Sequence, residues 1–160
     1  MRLLLILLFL PFMATSQIDG NQAYKDLGIS KKGRFGLNVK PGATYTKTRD
    51  KLAGDDRDET LFYDPTVDLF TLFFQKGNQD NYAEIKFRVE NNKIVGMHLD
   101  VYISSTATSH QVMDKIKAML NKSYDSKGRT EWGDSKMTVE FFDGSSNGFS
   151  GFVLDYEQIQ

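Results

Sequence analysis

The stretch Tyr82 to Ile103, YAEIKFRVENNKIVGMHLDVYI, decides the fold class. Apolar and polar residues alternate on both sides of Glu90-Asn91-Asn92. Such alternation marks a strand with one buried face. In the first strand Ala83, Ile85, Phe87 and Val89 point inward, and Tyr82, Glu84, Lys86 and Arg88 point outward. In the second, Val95, Met97, Leu99, Val101 and Ile103 form the inward set, and Gly96, His98, Asp100 and Tyr102 the outward one. One face is core and the other is at least partly wet.

Parity constrains the turn. A two-residue Asn91-Asn92 loop pairs Glu90 with Lys93 and throws the two apolar sets onto opposite faces. A three-residue loop, Glu90-Asn91-Asn92, repairs this and is the preferred reading, with Asn92 in the left-handed conformation that Asn tolerates. Glu84 then faces His98, and Tyr82 faces Asp100. The other repair keeps the two-residue turn and places a bulge near Gly96.

Outward from the hairpin, the chain of 160 residues is long enough for one domain with its own core. A net charge of −1 gives no basic footprint for nucleic acid. The 12 Phe and 7 Tyr suit a β-rich core. At the N-terminus Arg2, the apolar run Leu3 to Met13 and the small residues Ala14-Thr15-Ser16 read as a secretory signal peptide, too short to span a membrane. Residues 1–16 are therefore read as a leader and 17–160 as a single α+β domain. The expected location is secreted or periplasmic, with no permanent membrane anchor after cleavage. The chain has no cysteine, which fits a bacterial envelope and removes lipoprotein processing, thiol catalysis and thiolate metal sites.

Before the hairpin, Asn21 to Leu27 reads as a short helix ended by Gly28, and Arg34 to Val39 as a short strand. Thr44 to Leu52 is a second helix with Gly54 as its stop. Glu59 to Tyr63 is a strand. Val67 to Gln75, VDLFTLFFQ, is apolar at nearly every position, which predicts a strand covered on both faces. After the hairpin, Val112, Met113, Ile116, Met119 and Leu120 form a helical stripe in Thr108 to Ser123, with Thr108 and Gln111 as a capping box. Trp132 is expected to pack over the core beside this helix. Thr130 to Phe142 and Phe149 to Tyr156 read as a second hairpin. The fold class is α+β: a mainly antiparallel sheet of about five to seven strands, with one long helix and a shorter N-terminal helix packed on it.

Catalytic motifs do not emerge. Gly148-Phe149-Ser150-Gly151 misplaces the last glycine of a nucleophile elbow. Asp55-Asp56-Arg57-Asp58-Glu59 lacks the spacing of a calcium loop. There is no phosphate loop or dinucleotide fingerprint. The two histidines, His98 and His110, cannot make a multi-histidine zinc site. No metal, cofactor or catalytic residue is assigned, and the balance leans away from an enzyme. The one polar constellation is Glu84, His98 and Asp100, with Tyr82 and Tyr102 beside it. Two carboxylates flanking an imidazole raise its pKa and suit acid-base work or ligand binding. The plainer reading is a solvated sheet face whose charge pairs contribute a few tenths to about 1 kcal/mol each.

The segment Val39 to Leu99 carries a further pattern. It runs Pro41-Gly42-Ala43-Thr44, a short helix ending Lys51-Leu52-Ala53-Gly54, the aromatic pair Phe62-Tyr63, and strands ending in a polar turn with Lys93-Ile94-Val95. In this it resembles the SmpA/OmlA outer-membrane lipoprotein modules and β-lactamase-inhibitor-protein-like domains. The resemblance implies a helical pair packed on an antiparallel sheet, and binding to other proteins rather than catalysis. The lipidation cysteine of the lipoproteins is missing here, and no binding residue carries over.

Three functions are therefore expected, in this order. The first is a non-enzymatic module binding an envelope protein or peptide. The second is a carrier of a small hydrophobic ligand, in a pocket lined by Phe70, Phe74, Phe141 and Phe152. The third is a small hydrolase or isomerase using Glu84 and His98.

Overall fold

A computed structural model describes residues 18–54, 59–144 and 150–159. The leader read over residues 1–16 lies outside the described residues, as do residues 55–58 of the acidic loop. The described chain holds α1 (Gly20–Asp26), α2 (Tyr45–Ala53), β1 (Leu61–Asp64), β2 (Leu69–Phe73), β3 (Tyr82–Glu90) and β4 (Lys93–Ile103). Then come α3 (Thr106–Ser123), β5 (Asp125–Ser126), β6 (Glu131–Gly133), β7 (Met137–Asp143) and β8 (Ser150–Gln158). The eight strands form one sheet in the order β1-β2-β3-β4-β8-β7-β6-β5, with antiparallel neighbours throughout. The fold is α+β.

The topology is two meanders joined back to back. Strands β1 to β4 run from one edge to the centre. Helix α3 carries the chain from β4 to the far edge, and β5 to β8 return it until β8 pairs with β4. The strand count exceeds the expected range because Thr130 to Phe142 is itself a hairpin and Asp125–Ser126 adds the edge strand β5. Asp134 turns the chain by accepting from the amides of Lys136 (2.8 Å) and Met137 (3.1 Å), which separates β6 from β7. The acceptor role holds the Asp134 pKa below the usual carboxylate value.

Helix caps explain the element boundaries. Asp19 caps α1, and Gly28 takes a left-handed φ of 63° just beyond it. Ser105, one turn ahead of the expected Thr108, caps α3 by accepting from the Thr108 amide at 3.3 Å. The expected strand Arg34 to Val39 is instead a tight turn, with Leu37 and Asn38 at φ 54° and 59°. It bends because Leu37 and Asn38 donate to the carbonyls of Leu27 (2.7 Å) and Gly28 (3.2 Å), closing over the end of α1. Phe35, Leu37 and Val39 are all buried nonetheless.

The central hairpin adopts the second of its two possible turns. Asn91 and Asn92 both have positive φ, 48° and 59°, and Glu90 pairs with Lys93. That is the two-residue turn whose twist matches the flanking strands. Register shifts between Arg88 and Val89, which pair with Gly96 and Ile94, leaving Val95 as the extra residue of a bulge. Parity is restored with Ile94 buried in place of Val95. The preferred three-residue loop is thus corrected, and a tertiary contact supplies the reason. The Asn92 carbonyl and side chain accept from the amides of Tyr45 (2.9 Å) and Thr46 (3.1 Å), capping α2, whose own Thr44 side chain makes no cap bond.

Both hairpins, α3 and the turn at Phe35 bury one face of the sheet. Val112, Met113, Ile116 and Leu120 of α3 join Ile85, Leu99, Val139, Phe152 and Leu154 in the core. Trp132 is buried as expected, donating its indole N–H to Asn121 of α3 at 2.8 Å. Among the described residues the other face carries no helix. Strand β2 alternates between buried and half-buried positions, and Val67 before it is 55% exposed. The expectation of a strand covered on both faces is therefore corrected: Phe70 and Leu72 face the core, while Leu69, Thr71 and Phe73 face outward.

Candidate functional site, an open sheet face

Every residue of the sequence-derived constellation lies on this open face. Cross-strand pairing sets the neighbours. Tyr82 stands opposite Tyr102, Glu84 opposite Asp100, and Lys86 opposite His98. The expected pairs Glu84–His98 and Tyr82–Asp100 are thus displaced by two residues, the consequence of the bulge.

His98 takes its carboxylates from elsewhere. Its Nδ1 lies 2.7 Å from Asp155 on β8 and its Nε2 3.1 Å from Asp100 on β4. Partial burial lowers the imidazole pKa, but hydrogen bonds and charge from Asp155 and Asp100 outweigh it, and the net shift is upward. Both ring nitrogens are hydrogen-bonded to carboxylates of the sheet. Glu84 makes no contact that would couple it to the ring as a catalytic partner. The arrangement is a charged clamp tying β4 to β8. His110, the second histidine, is exposed in the first turns of α3.

Beside the clamp runs a row of rings. Phe62 on β1 contacts Phe73 on β2 at 5.6 Å between centroids, Phe73 contacts Tyr82 on β3 at 6.2 Å, and Tyr82 stacks on Tyr102 of β4 at 4.7 Å. Four strands at about 4.8 Å spacing make this row roughly 15 Å long. Phe62 is 51% exposed, and the others are half-buried by one another. Crowding by the rings, then the charges of Glu84 and Asp100, push both tyrosine hydroxyls above their ordinary pKa. The row ends at Gly151 of β8, opposite Tyr102. A second apolar pair, Phe142 (41% exposed) and Val153, lies next to Asp100.

Acidic groups dominate the rest of the face. Glu84, Asp100, Asp155, Glu140, Glu131 and Glu157 stand against Lys86, Arg88 and His98. Arg88 is already matched to Glu157 at 2.8 Å. Among the described residues no three His, Asp or Glu side chains are disposed to hold a metal ion, and no helix is long and apolar enough to cross a membrane.

Sequence reasoning missed Asp155, Phe62, Phe73 and Phe142. The alternation Leu154-Asp155-Tyr156 already placed Asp155 outward; what was lacking was the adjacency of β8 and β4. The four phenylalanines expected to line a ligand pocket are buried. Phe141 stacks on Phe152 at 5.5 Å, and Phe70 packs on Tyr63 and Phe87. No protein-family model matches this chain, and neither curated proteins nor solved structures provide a match.

Proposed function

We propose that this chain is a non-enzymatic binding module that takes a protein or peptide on its open sheet face. The observation that carries this reading is the aromatic row Phe62–Phe73–Tyr82–Tyr102, left without a covering layer among the described residues on a sheet whose other face holds the core. Partly exposed aromatic surface rimmed by polar groups is a mark of interaction sites. Aromatic side chains are the residues most enriched among binding hot spots. The carboxylates beside the row favour a partner that presents Lys or Arg next to its apolar contacts. The apparent leader at residues 1–16 and the resemblance to envelope binding modules support a partner in the bacterial envelope.

The test is selection of displayed peptides on the mature protein. Enrichment of sequences combining aromatic and basic residues is expected, with binding weakened at least about tenfold by Phe73→Ser. Selected peptides that bind wild type and Phe73→Ser equally would place the binding surface elsewhere. Peptides bound only through acidic residues would overturn the assignment of partner charge.

A further inference from the structure

On the covered side of the sheet, away from the aromatic row, lies a pocket of opposite character. It is a cleft of about 390 Å³ between the turn at residues 34–40 and helix α2. Arg34, Lys40, Lys47 and Lys51 line it together with the hydroxyl residues Thr44 and Thr48, and no carboxylate among the described residues contributes to its wall. Lys47 and Lys51 are four residues apart on α2, so they share a helix face. Lys40, Lys47 and Lys51 make no ion pair among the described residues, and Arg34 spends one N–H on the Asn38 carbonyl at 3.1 Å. Asp50, the acid of α2 itself, is held by Arg49 at 2.7 Å. Lys93 adds a cation at the rim, its Nζ 3.3 Å from Thr44 Oγ1.

The chain as a whole has a net charge of −1, so this clustering is local. Four like charges on one cleft repel one another, and that repulsion is relieved by an anion bearing several charges. The guanidinium fork and the ammonium groups suit phosphoryl oxygens, and the hydroxyls add donors. The cleft is large enough for more than one phosphoryl group. We propose that this cleft is an anion site for a phosphate-bearing ligand, separate from the open sheet face and independent of what binds there.

Two probes separate the sources of such a group: inorganic pyrophosphate for a soluble ligand, and phosphatidylglycerol vesicles, against phosphatidylcholine vesicles, for a lipid headgroup. The mature protein is titrated with pyrophosphate while backbone amide resonances are followed. Saturable shifts confined to residues 34–40 and 44–52 are expected, with affinity falling about tenfold in Lys47→Gln/Lys51→Gln. The control pair Lys25→Gln/Lys122→Gln, exposed on α1 and α3, should leave affinity unchanged. Co-sedimentation with phosphatidylglycerol vesicles alone, lost in the Lys47/Lys51 variant, would assign the site to a headgroup. Both variants alter exposed side chains, so an unchanged unfolding midpoint checks that neither result reflects misfolding. Absence of saturable binding to either probe overturns the proposal. Equal weakening by the control pair overturns it too, because it would reduce the effect to general counter-ion attraction.

Discussion

Phe70 and Phe73 sit three residues apart in β2, on opposite faces of the same strand. Each has two aromatic neighbours. Phe70 meets Tyr63 at 4.6 Å and Phe87 at 5.9 Å; Phe73 meets Phe62 at 5.6 Å and Tyr82 at 6.2 Å. Yet Phe70 is 1% exposed and Phe73 only half-buried. Ring contacts along a sheet do not remove a side chain from water; a layer packed over them does. Among the described residues the helices supply that layer on one face only. The phenylalanine that gains least from its position is therefore the one available to a partner.

The sharpest way to break this comparison is to truncate each ring. Phe70→Ala should destabilise by about 3–5 kcal/mol, because it removes a buried ring and leaves a cavity. Phe73→Ala should cost about 1 kcal/mol, the worth of partly solvated aromatic pairs. Urea unfolding measures both. Equal losses would mean that the open face is in fact covered in solution, by another copy or by an element outside the described residues.

A smaller effect is expected from two glycines, again one per face. A Cβ on Gly96 would stand 2.7 Å from the Tyr156 carbonyl oxygen, which is backbone of the adjacent strand. A Cβ on Gly36, on the covered face, would come 2.7 Å from the Met97 Cε, the free end of a flexible side chain. Gly96→Ala should therefore cost about 1–3 kcal/mol and loosen the bulge, with Gly36→Ala costing less. The measurement is thermal unfolding, read together with amide exchange of the Lys93–Met97 segment. A larger loss for Gly36→Ala would show that Met97 has no freedom to move.

These glycines also mark where the sequence was legible. The alternation in Tyr82 to Ile103 is enough to assign two strands and the identity of their faces, because both are properties of local period. Helices α1, α2 and α3 were likewise visible through their stripes and stops. The turn was not, because what selects it is the cap that Asn92 places on α2, a contact between residues nearly fifty positions apart. The clamp on His98 was half visible. Asp100 lies two residues away on the same strand, while Asp155 is brought in by β8, and no local pattern says which strand β8 pairs with. The apolar run Val67 to Gln75 misled for an informative reason. Composition suggested cover on both faces, and the second set instead faces outward, where Phe73 joins the aromatic row. A run more apolar than its burial requires is itself a signal of a binding surface.

The third expected effect is a gain. The Tyr156 hydroxyl is buried on the covered face with no hydrogen-bond partner among the described residues, and burial drives its pKa upward. An unsatisfied buried donor costs more than the bond it fails to make. Tyr156→Phe keeps the ring, including its edge contact with Phe35 at 5.8 Å, and removes the hydroxyl. Stability should rise by up to about 1 kcal/mol. A loss of stability would reveal a partner for the hydroxyl inside the core. The analogous change on the open face, Tyr82→Phe, should be closer to neutral, since Tyr82 is only partly buried.

The smallest effect is the most specific to the strand order. His98 has a raised pKa in the fold, so its protonated form is the one that folding favours. Its contribution is fully present below the unfolded reference of about 6.5 and is lost as pH rises through the folded value. Stability should thus decline as pH rises above that reference, by less than about 1 kcal/mol because the groups are solvent-screened. Direct titration of the ring by NMR separates the contributors. Asp155→Asn, which removes the charge at the 2.7 Å contact, should lower the His98 pKa most, and Asp100→Asn, at 3.1 Å, less. Glu84→Gln should barely move it, because Glu84 stands opposite Asp100 and not opposite the imidazole. If Glu84→Gln were instead the dominant change, the hairpin would carry the three-residue loop after all. The bulge, the cap on α2 and the pairing of β4 with β8 would then have to be redrawn together.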